Sequence, residues 1–335
     1  MKKILLIIMV SLSSLLSAQD IVYRESSSFA QDDFAPIRHY LNASYDVGQN
    51  PYFFYQHDFW DNHRLVFDKI KSPHRSIKND GGYGEFFAKE FFGSNALPNY
   101  SLHLFGGGYD YRNLYYWYKL RGYAFPHTMA IITSYAGHFG NEAYEASNDK
   151  ISSHDHIADL YFFDVIGKVL MMNDEFANFV IDDLGLSAWH FQPLYSTNDK
   201  EIINAGLNYI ARPKALSFHQ VTPLIYMGMQ VLGGASYQFK PDHYLSAALG
   251  VAVTEPFEKR WFYSGLLAYD IAGEPRAILN INGTEAKRAR LLIYPKVFSF
   301  YPKYQLGITS FVEREGGFGG GVQLNLPLGI AGVWR

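Results

Sequence analysis

The side chains best able to do chemistry in this 335-residue chain are crowded between His127 and Asp164. Gly137-His138-Phe139-Gly140-Asn141-Glu142-Ala143-Tyr144-Glu145 is soon followed by Ser153-His154-Asp155-His156-Ile157-Ala158-Asp159. Burying ionisable groups costs several kcal/mol unless they are paired or bound, so such a cluster beside an apolar stretch needs partners. Three chemistries fit the residue types. His138 and Glu142, at i,i+4 on a helix, could share one divalent metal, with His156, Asp159 or Asp155 of the next helix completing a shell of imidazole and carboxylate. Ser134, His138 and Glu142 are the types that activate a hydroxyl for attack on an ester, for which membrane lipid is the natural substrate. Their common stripe is poor geometry for a relay, however. Finally, Asn141, Glu145, Asp155 and Asp159, with His138 and Glu142, could form a buried hydrogen-bond network that locks two helices together.

The elements that must position these groups follow from the surrounding pattern. No Asp, Glu, Lys or Arg stands between Arg121 and Glu142, yet Ser, Thr, Gly and His recur there, as on a helix packed closely against protein. Pro126 suits its first turn. At about 100° per residue, His127, Ser134, His138, Asn141, Glu142 and Glu145 fall on one stripe, interrupted by Ile131. A second helix, Ile157 to Met172, starts from a cap at Ser153 or Asp155 and carries an Asp164–Lys168 ion pair. Asn173 to Leu184 continues as a short helix ended by Gly185. His154 and His219 read as ordinary loop and strand histidines.

Upstream, Lys2-Lys3, the apolar run Ile4 to Leu16 and Ser17-Ala18 read as a secretory signal. Residues 19–50 are polar without a period and read as an extended periplasmic lead-in. Gly84 to Phe92 predicts a short helix closed by Gly93, and Tyr100 to Phe105 a strand broken by Gly106-Gly107-Gly108. Tyr109 to Arg121 is an aromatic helix suited to a membrane interface or to a core.

From Ser187 the period changes. Ser187–Leu194, Ile202–Ile210, Thr222–Phe239, Tyr244–Val253, Trp261–Tyr269, Arg276–Ile281, Leu291–Val297, Tyr304–Val312 and Val322–Ile330 read as strands. Asp242-His243, Glu274-Pro275 and Asn282-Gly283 mark turns. The aromatic fraction of 17%, with 26 Tyr and 26 Phe, fits the girdles of a membrane barrel. A soluble β-sandwich is the alternative, and the ending Trp334-Arg335 departs from the usual aromatic terminus of such barrels. With no cysteine, disulfides, thiolate metal sites and cysteine lipidation are excluded, and a net charge of -3 without a basic run gives no sign of nucleic-acid binding.

Asn141-Glu142 with Glu145, then Ser153 with Asp159, then Gly167 resembles the acidic helical signature of envelope families of the YfiM-like and VanZ-like groups, over about 50 residues. The resemblance implies a helical hairpin with inward carboxylates, singles out Glu142, Glu145, Asp159 and Gly167, and brings no agreed activity. His138 and Asp164 are not part of it.

The expected molecule is an outer-membrane antiparallel β-barrel of about ten strands with an inserted helical segment. Its parts are a signal peptide (1–18), a periplasmic lead-in with a short helix (19–98), a first strand and helical hairpin (99–186), and strands completing the barrel (187–335). The helices plug or brace the barrel, which meets membrane lipid; the alternative is a lipid hydrolase or metal-dependent enzyme built on the His138/Glu142 cluster.

Overall fold

The computed structural model describes residues 34–49, 59–93, 95–146, 151–255, 260–284, 286–301, 304–324 and 326–335. The expected signal peptide (1–18) and residues 19–33 of the expected lead-in lie outside them. Among the described residues the chain is mainly helical up to Asp183, and from Ser187 onward its strands form one sheet.

The helices are α1 (Pro36–Ser44), α2 (Phe59–Ile70), α3 (Pro73–Asn79) and α4 (Gly82–Glu90), followed by three longer ones. Helix α5 begins as Ala96–Pro98, widens to a π-helix over Asn99–Gly106 and runs on as Gly107–Leu120. Helix α6 is Pro126–Glu145, with its proline in the first turn, where no N–H partner is needed. Helix α7 comprises Ser153–Ala158, a π-helical Asp159–Phe163 and Asp164–Met172. Its start is capped by Asp80, whose Oδ2 accepts the Ser153 N–H at 2.7 Å. Helix α8 is Asp174–Asn178 continuing as a π-helix over Phe179–Asp183, and Gly185 leaves it at φ +63°.

Two sequence readings change here. The lead-in is not extended where it is described, because α1 buries Arg38, His39 and Asn42 in the bundle. Tyr100 to Phe105 is helix rather than strand, and the three glycines do not break it. They are points of close approach: a Cβ on Gly107 would sit 2.8 Å from the His138 ring, and one on Gly108 would sit 2.7 Å from the Gly167 carbonyl oxygen. Buried Tyr109, Tyr111 and Tyr118 of the same helix join Leu102, Leu114 and Met171 in a core, so the aromatic helix is a packing element.

The sheet has 13 strands in the order β1-β4-β5-β6-β7-β8-β9-β10-β11-β12-β13-β2-β3. Strands β1 (Ser187–Ala188), β2 (Leu194–Ser196), β3 (Ile202–Ile203) and β4 (Tyr209–Ala211) are short. Strands β5 (Val221–Met227), β6 (Gln230–Lys240), β7 (His243–Glu255), β8 (Arg260–Ile271), β9 (Glu274–Ile281), β10 (Lys287–Tyr301), β11 (Tyr304–Glu313), β12 (Phe318–Gln323) and β13 (Gly329–Trp334) form an antiparallel meander. Two long runs read as single strands are hairpins: 222–239 turns between Met227 and Gln230, and 322–330 turns before Gly329, where Pro327 cannot donate to a ladder. One pair, β13 with β2, is parallel.

Residues alternate across the sheet in an informative way. Leu224, Tyr226, Leu232, Ala248, Leu266, Ile278, Leu292 and Ala331 meet Trp189, Phe191 and Leu194 in one buried cluster. Residues from β5 to β10 and from β13 therefore face a common interior. Their neighbours face out: Ala248 is 3% exposed and Leu249 77%, Leu266 3% and Leu267 54%.

The sheet is not a closed barrel. Its hydrogen-bonded order begins at β1 and ends at β3, and no ladder joins those two strands. Only Trp189 to Pro193 separate β1 from β2 in the chain, so the two ends of the sheet lie within reach of one short segment. The helices cover this interruption. Leu186, Leu207 and Tyr209, with Ala188, Ala211 and Met227, belong to the same core as Tyr109, Met171 and Val180 of the bundle.

Candidate functional site

Four elements meet at the polar centre of the bundle: α1 brings His39, α5 brings His103 and Asp110, α6 brings Ser134, His138, Asn141 and Glu142, and α7 brings His156, Asp159, Asp164 and Lys168. All of these are buried. The π-helical turns matter here. His103 lies within one, Asp159 opens another, and Asp164 directly follows it. A π-turn rotates the side chains that follow it, which is why such turns gather at functional sites. Small residues let the backbones approach: a Cβ on Gly137 would sit 2.8 Å from that of Ala43, and one on Gly167 would sit 2.2 Å from the Leu104 carbonyl oxygen.

At one end of the centre, Asp164 is the hub. Its Oδ1 accepts from His138 Nδ1 at 2.5 Å and from His103 Nδ1 at 3.3 Å, and its Oδ2 lies 3.1 Å from Lys168 Nζ. Burial opposes its ionisation, but His138, Lys168 and His103 override it, and its carboxyl sits well below the usual range. His103 is held above the ordinary imidazole value by Asp164 against the cost of burial, whereas burial keeps His138 below it. Asp164 thus gathers three nitrogens, His138 Nδ1, His103 Nδ1 and Lys168 Nζ, on one buried carboxyl group. Beyond it, His39 Nδ1 lies 3.6 Å from Asp110, which accepts the Tyr209 hydroxyl at 2.7 Å.

The other end is rich in carboxylates. His103 Nε2 lies 3.3 Å from Asp159 Oδ2, and His156 Nδ1 lies 2.6 Å from Glu142 Oε2. Asn141 donates to Glu145 at 2.8 Å and accepts the Val47 N–H, and Asn95 donates to both Glu90 and Asp155. Burial, and then the neighbouring carboxylates, push Asp159 and Glu145 well above the ordinary range. Burial likewise takes Glu142 and Glu90 up to about 8, and His156 down to about 3. Glu142 Oε1 and Asp159 Oδ1 are buried without a hydrogen-bond partner.

The residues could hold a metal ion. In each of four trios, one ligand atom per residue lies within 4.8 Å of the others: His39, Asp110 and His138; His103, His138 and Asp164; His103, Glu142 and Asp159; Glu142, Asp155 and His156. Successive trios share a residue, so the centre is one chain of ligand-type groups through the bundle.

The structure distributes the predicted residues in its own way. His138 and Glu142 face different partners, Asp164 and His156, and no trio contains both. The predicted metal set His138, Glu142, His156 and Asp159 is thus spread over adjoining trios. Ser134 is fully buried and its Oγ has no hydrogen-bond partner, so no Ser134–His138 relay is formed. Asn141, Glu145, Asp155 and Asp159 all take part in the polar network around Glu142. The Asp164–Lys168 pair forms as expected. His127 lies apart, hydrogen-bonded to Tyr111 and stacked 4.0 Å from Tyr115.

His39, His103 and Asp110 escape the sequence reading. His39 lay in a stretch without a period, and His103 lay in a presumed strand. The one signal for His103 is its position just before Gly106-Gly107-Gly108, glycines that serve close packing. Compared with known proteins, the chain matches no family model, no curated protein and no solved structure.

Proposed function

We propose that this chain is an outer-membrane β-barrel protein in which the helical bundle braces the interrupted part of the sheet, a structural or transport role. The observation that carries the reading is the inversion of polarity across the meander. Leu245, Leu249, Tyr263, Leu267, Val322 and Ile330 are exposed on the outer face, where a protein in water would place polar groups. On the inner face, Arg212 pairs with Asp270 and bonds Ser236 and Ser246, while Ser264 and Asn280 donate to Gln230. Apolar outside and polar or packed inside is the pattern lipid demands of a barrel. Unpaired strand edges cannot be left open in lipid, and the bundle packs against the edge strand β1 and its neighbour β4. No helix among the described residues is long and apolar enough to cross a membrane.

The test is fractionation of the expressed chain together with gel migration before and after boiling. The expected result is recovery in the outer-membrane fraction after a high-pH wash, with heat-shifted mobility. Recovery in the soluble fraction would refute the proposal.

A further inference from the structure

The centre in the bundle is unevenly compensated. At the Asp164 end, Lys168 supplies a fixed positive charge 3.1 Å away. At the other end, Glu142 and Asp159 meet His103, Glu142 and Asp155 meet His156, and Glu145 and Glu90 lie beside Asp155. A buried carboxylate oxygen without a donor costs free energy comparable to a lost charged hydrogen bond, and here two of them, Glu142 Oε1 and Asp159 Oδ1, belong to one trio. Glu142 is fully buried and faces both ways: Oε2 toward His156 and Oε1 toward no donor. It is also the residue shared by the trio with His103 and Asp159 and the trio with Asp155 and His156.

We propose that this end of the bundle binds two divalent transition-metal ions bridged by Glu142, one held with His103 and Asp159, the other with His156 and Asp155. Glu145 shares a hydrogen bond with Asp155 and stands beside the second ion as its neighbouring carboxylate. Cation binding replaces the His156–Glu142 hydrogen bond and gives the unpartnered oxygens of Glu142 and Asp159 a partner inside the bundle. Imidazole nitrogen mixed with carboxylate oxygen favours zinc, iron(II) or manganese over calcium or magnesium. Inward-facing carboxylates and histidines on packed helices are how bundle cores build paired-metal centres. The two π-turns, one holding His103 and one opening at Asp159, aim these ligands at Glu142 from opposite helices. The inference does not depend on where the sheet resides.

The experiment uses the full chain purified in detergent, stripped with a chelator and dialysed separately against zinc, manganese and, without oxygen, iron(II). Metal content is then measured by elemental analysis. The expected content is about two ions per chain for at least one metal, about one in His103→Ala and in His156→Ala, and close to none in Glu142→Gln. His127→Ala, at the far end of α6, should keep the full content. Circular dichroism establishes that each variant is folded, and Asp159→Asn, expected to hold about one ion, replaces any variant that is not. Melting gives a second readout: chelation should lower the midpoint of the wild type and leave that of Glu142→Gln unmoved. A wild type holding one ion or none, or a folded Glu142→Gln with wild-type content, would overturn the proposal.

Discussion

Asp110 joins the bundle to the sheet, and its replacement by Asn should remove a measurable part of the pH dependence of the fold, to which the raised Glu90, Glu142, Glu145 and Asp159 also contribute. Its carboxyl is wholly buried, accepts the Tyr209 hydroxyl at 2.7 Å, and is lifted by burial from 3.8 to about 8. Near neutrality the native carboxyl therefore holds a proton that the unfolded chain has already released. A native state that binds more protons than the unfolded state loses stability as pH rises. The contribution is complete below the unfolded value of 3.8 and is lost as pH climbs through about 8. At about 1.4 kcal/mol per unit, a shift of that size has a ceiling of about 6 kcal/mol, and structural relaxation brings the expected loss to about 2–4 kcal/mol between about pH 5 and 8. Asp46, which accepts the Leu207 N–H and is raised by burial to about 7, acts in the same direction. For a unit of this size, each kcal/mol moves the melting midpoint by about 2–4 °C. The assay is far-ultraviolet circular dichroism of the chelator-treated chain, melted at a series of pH values. The wild-type midpoint should fall by about 4–16 °C over that range, and Asp110→Asn, which keeps an acceptor for Tyr209 but has nothing to titrate, should fall by clearly less. A wild-type midpoint that is flat or rises with pH, or a variant with the wild-type slope, would refute the reasoning.

Three further outcomes follow from packing and charge. Gly167→Val places a Cβ 2.2 Å from the Leu104 carbonyl oxygen; because backbone cannot yield cheaply, the bundle should lose its protease resistance while the same change at Gly84, with open space around it, should not. Trp189 is fully buried inside the sheet and donates from Nε1 to Gly273 O at 3.0 Å, so Trp189→Ala should cost about 3–5 kcal/mol, read as a lower temperature for the heat-shifted gel band. Arg212→Ala strips a buried Asp270 of its guanidinium partner and should cost about 3–5 kcal/mol, while Arg212→Met with Asp270→Leu should recover most of it; chemical denaturation of both variants separates the two.

How much of this was legible beforehand depends on the length scale of each interaction. Pro126 and the uncharged run before Glu142 announced α6, and the periodic residues after Ser187 announced the meander, because both signals are local and set by 3.6- and 2-residue repeats. Hairpin positions were less legible. Thr222 to Phe239 alternates straight through its turn at Gly228, and Val322 to Ile330 keeps its apolar alternation through Pro327, so pattern alone could not locate the reversal.

The sequence by itself determined that one helix carries Ser134, His138, Asn141, Glu142 and Glu145 on a common stripe, that Asp159 and Asp164 belong to the next, and that the chain from Ser187 onward is mostly strand. Only the tertiary structure decided which group faces which. His138 turned to Asp164, Glu142 turned to His156, and His39, His103 and Asp110 entered from a stretch without a period, a segment read as a strand and an aromatic helix. The physical reason is that a helix fixes the direction of its side chains but not the identity of the neighbour. That choice was made by glycines at Gly107, Gly108, Gly137 and Gly167, which set how closely the helices cross, and by π-turns, whose extra residue rotates the side chains that follow, Asp164 among them.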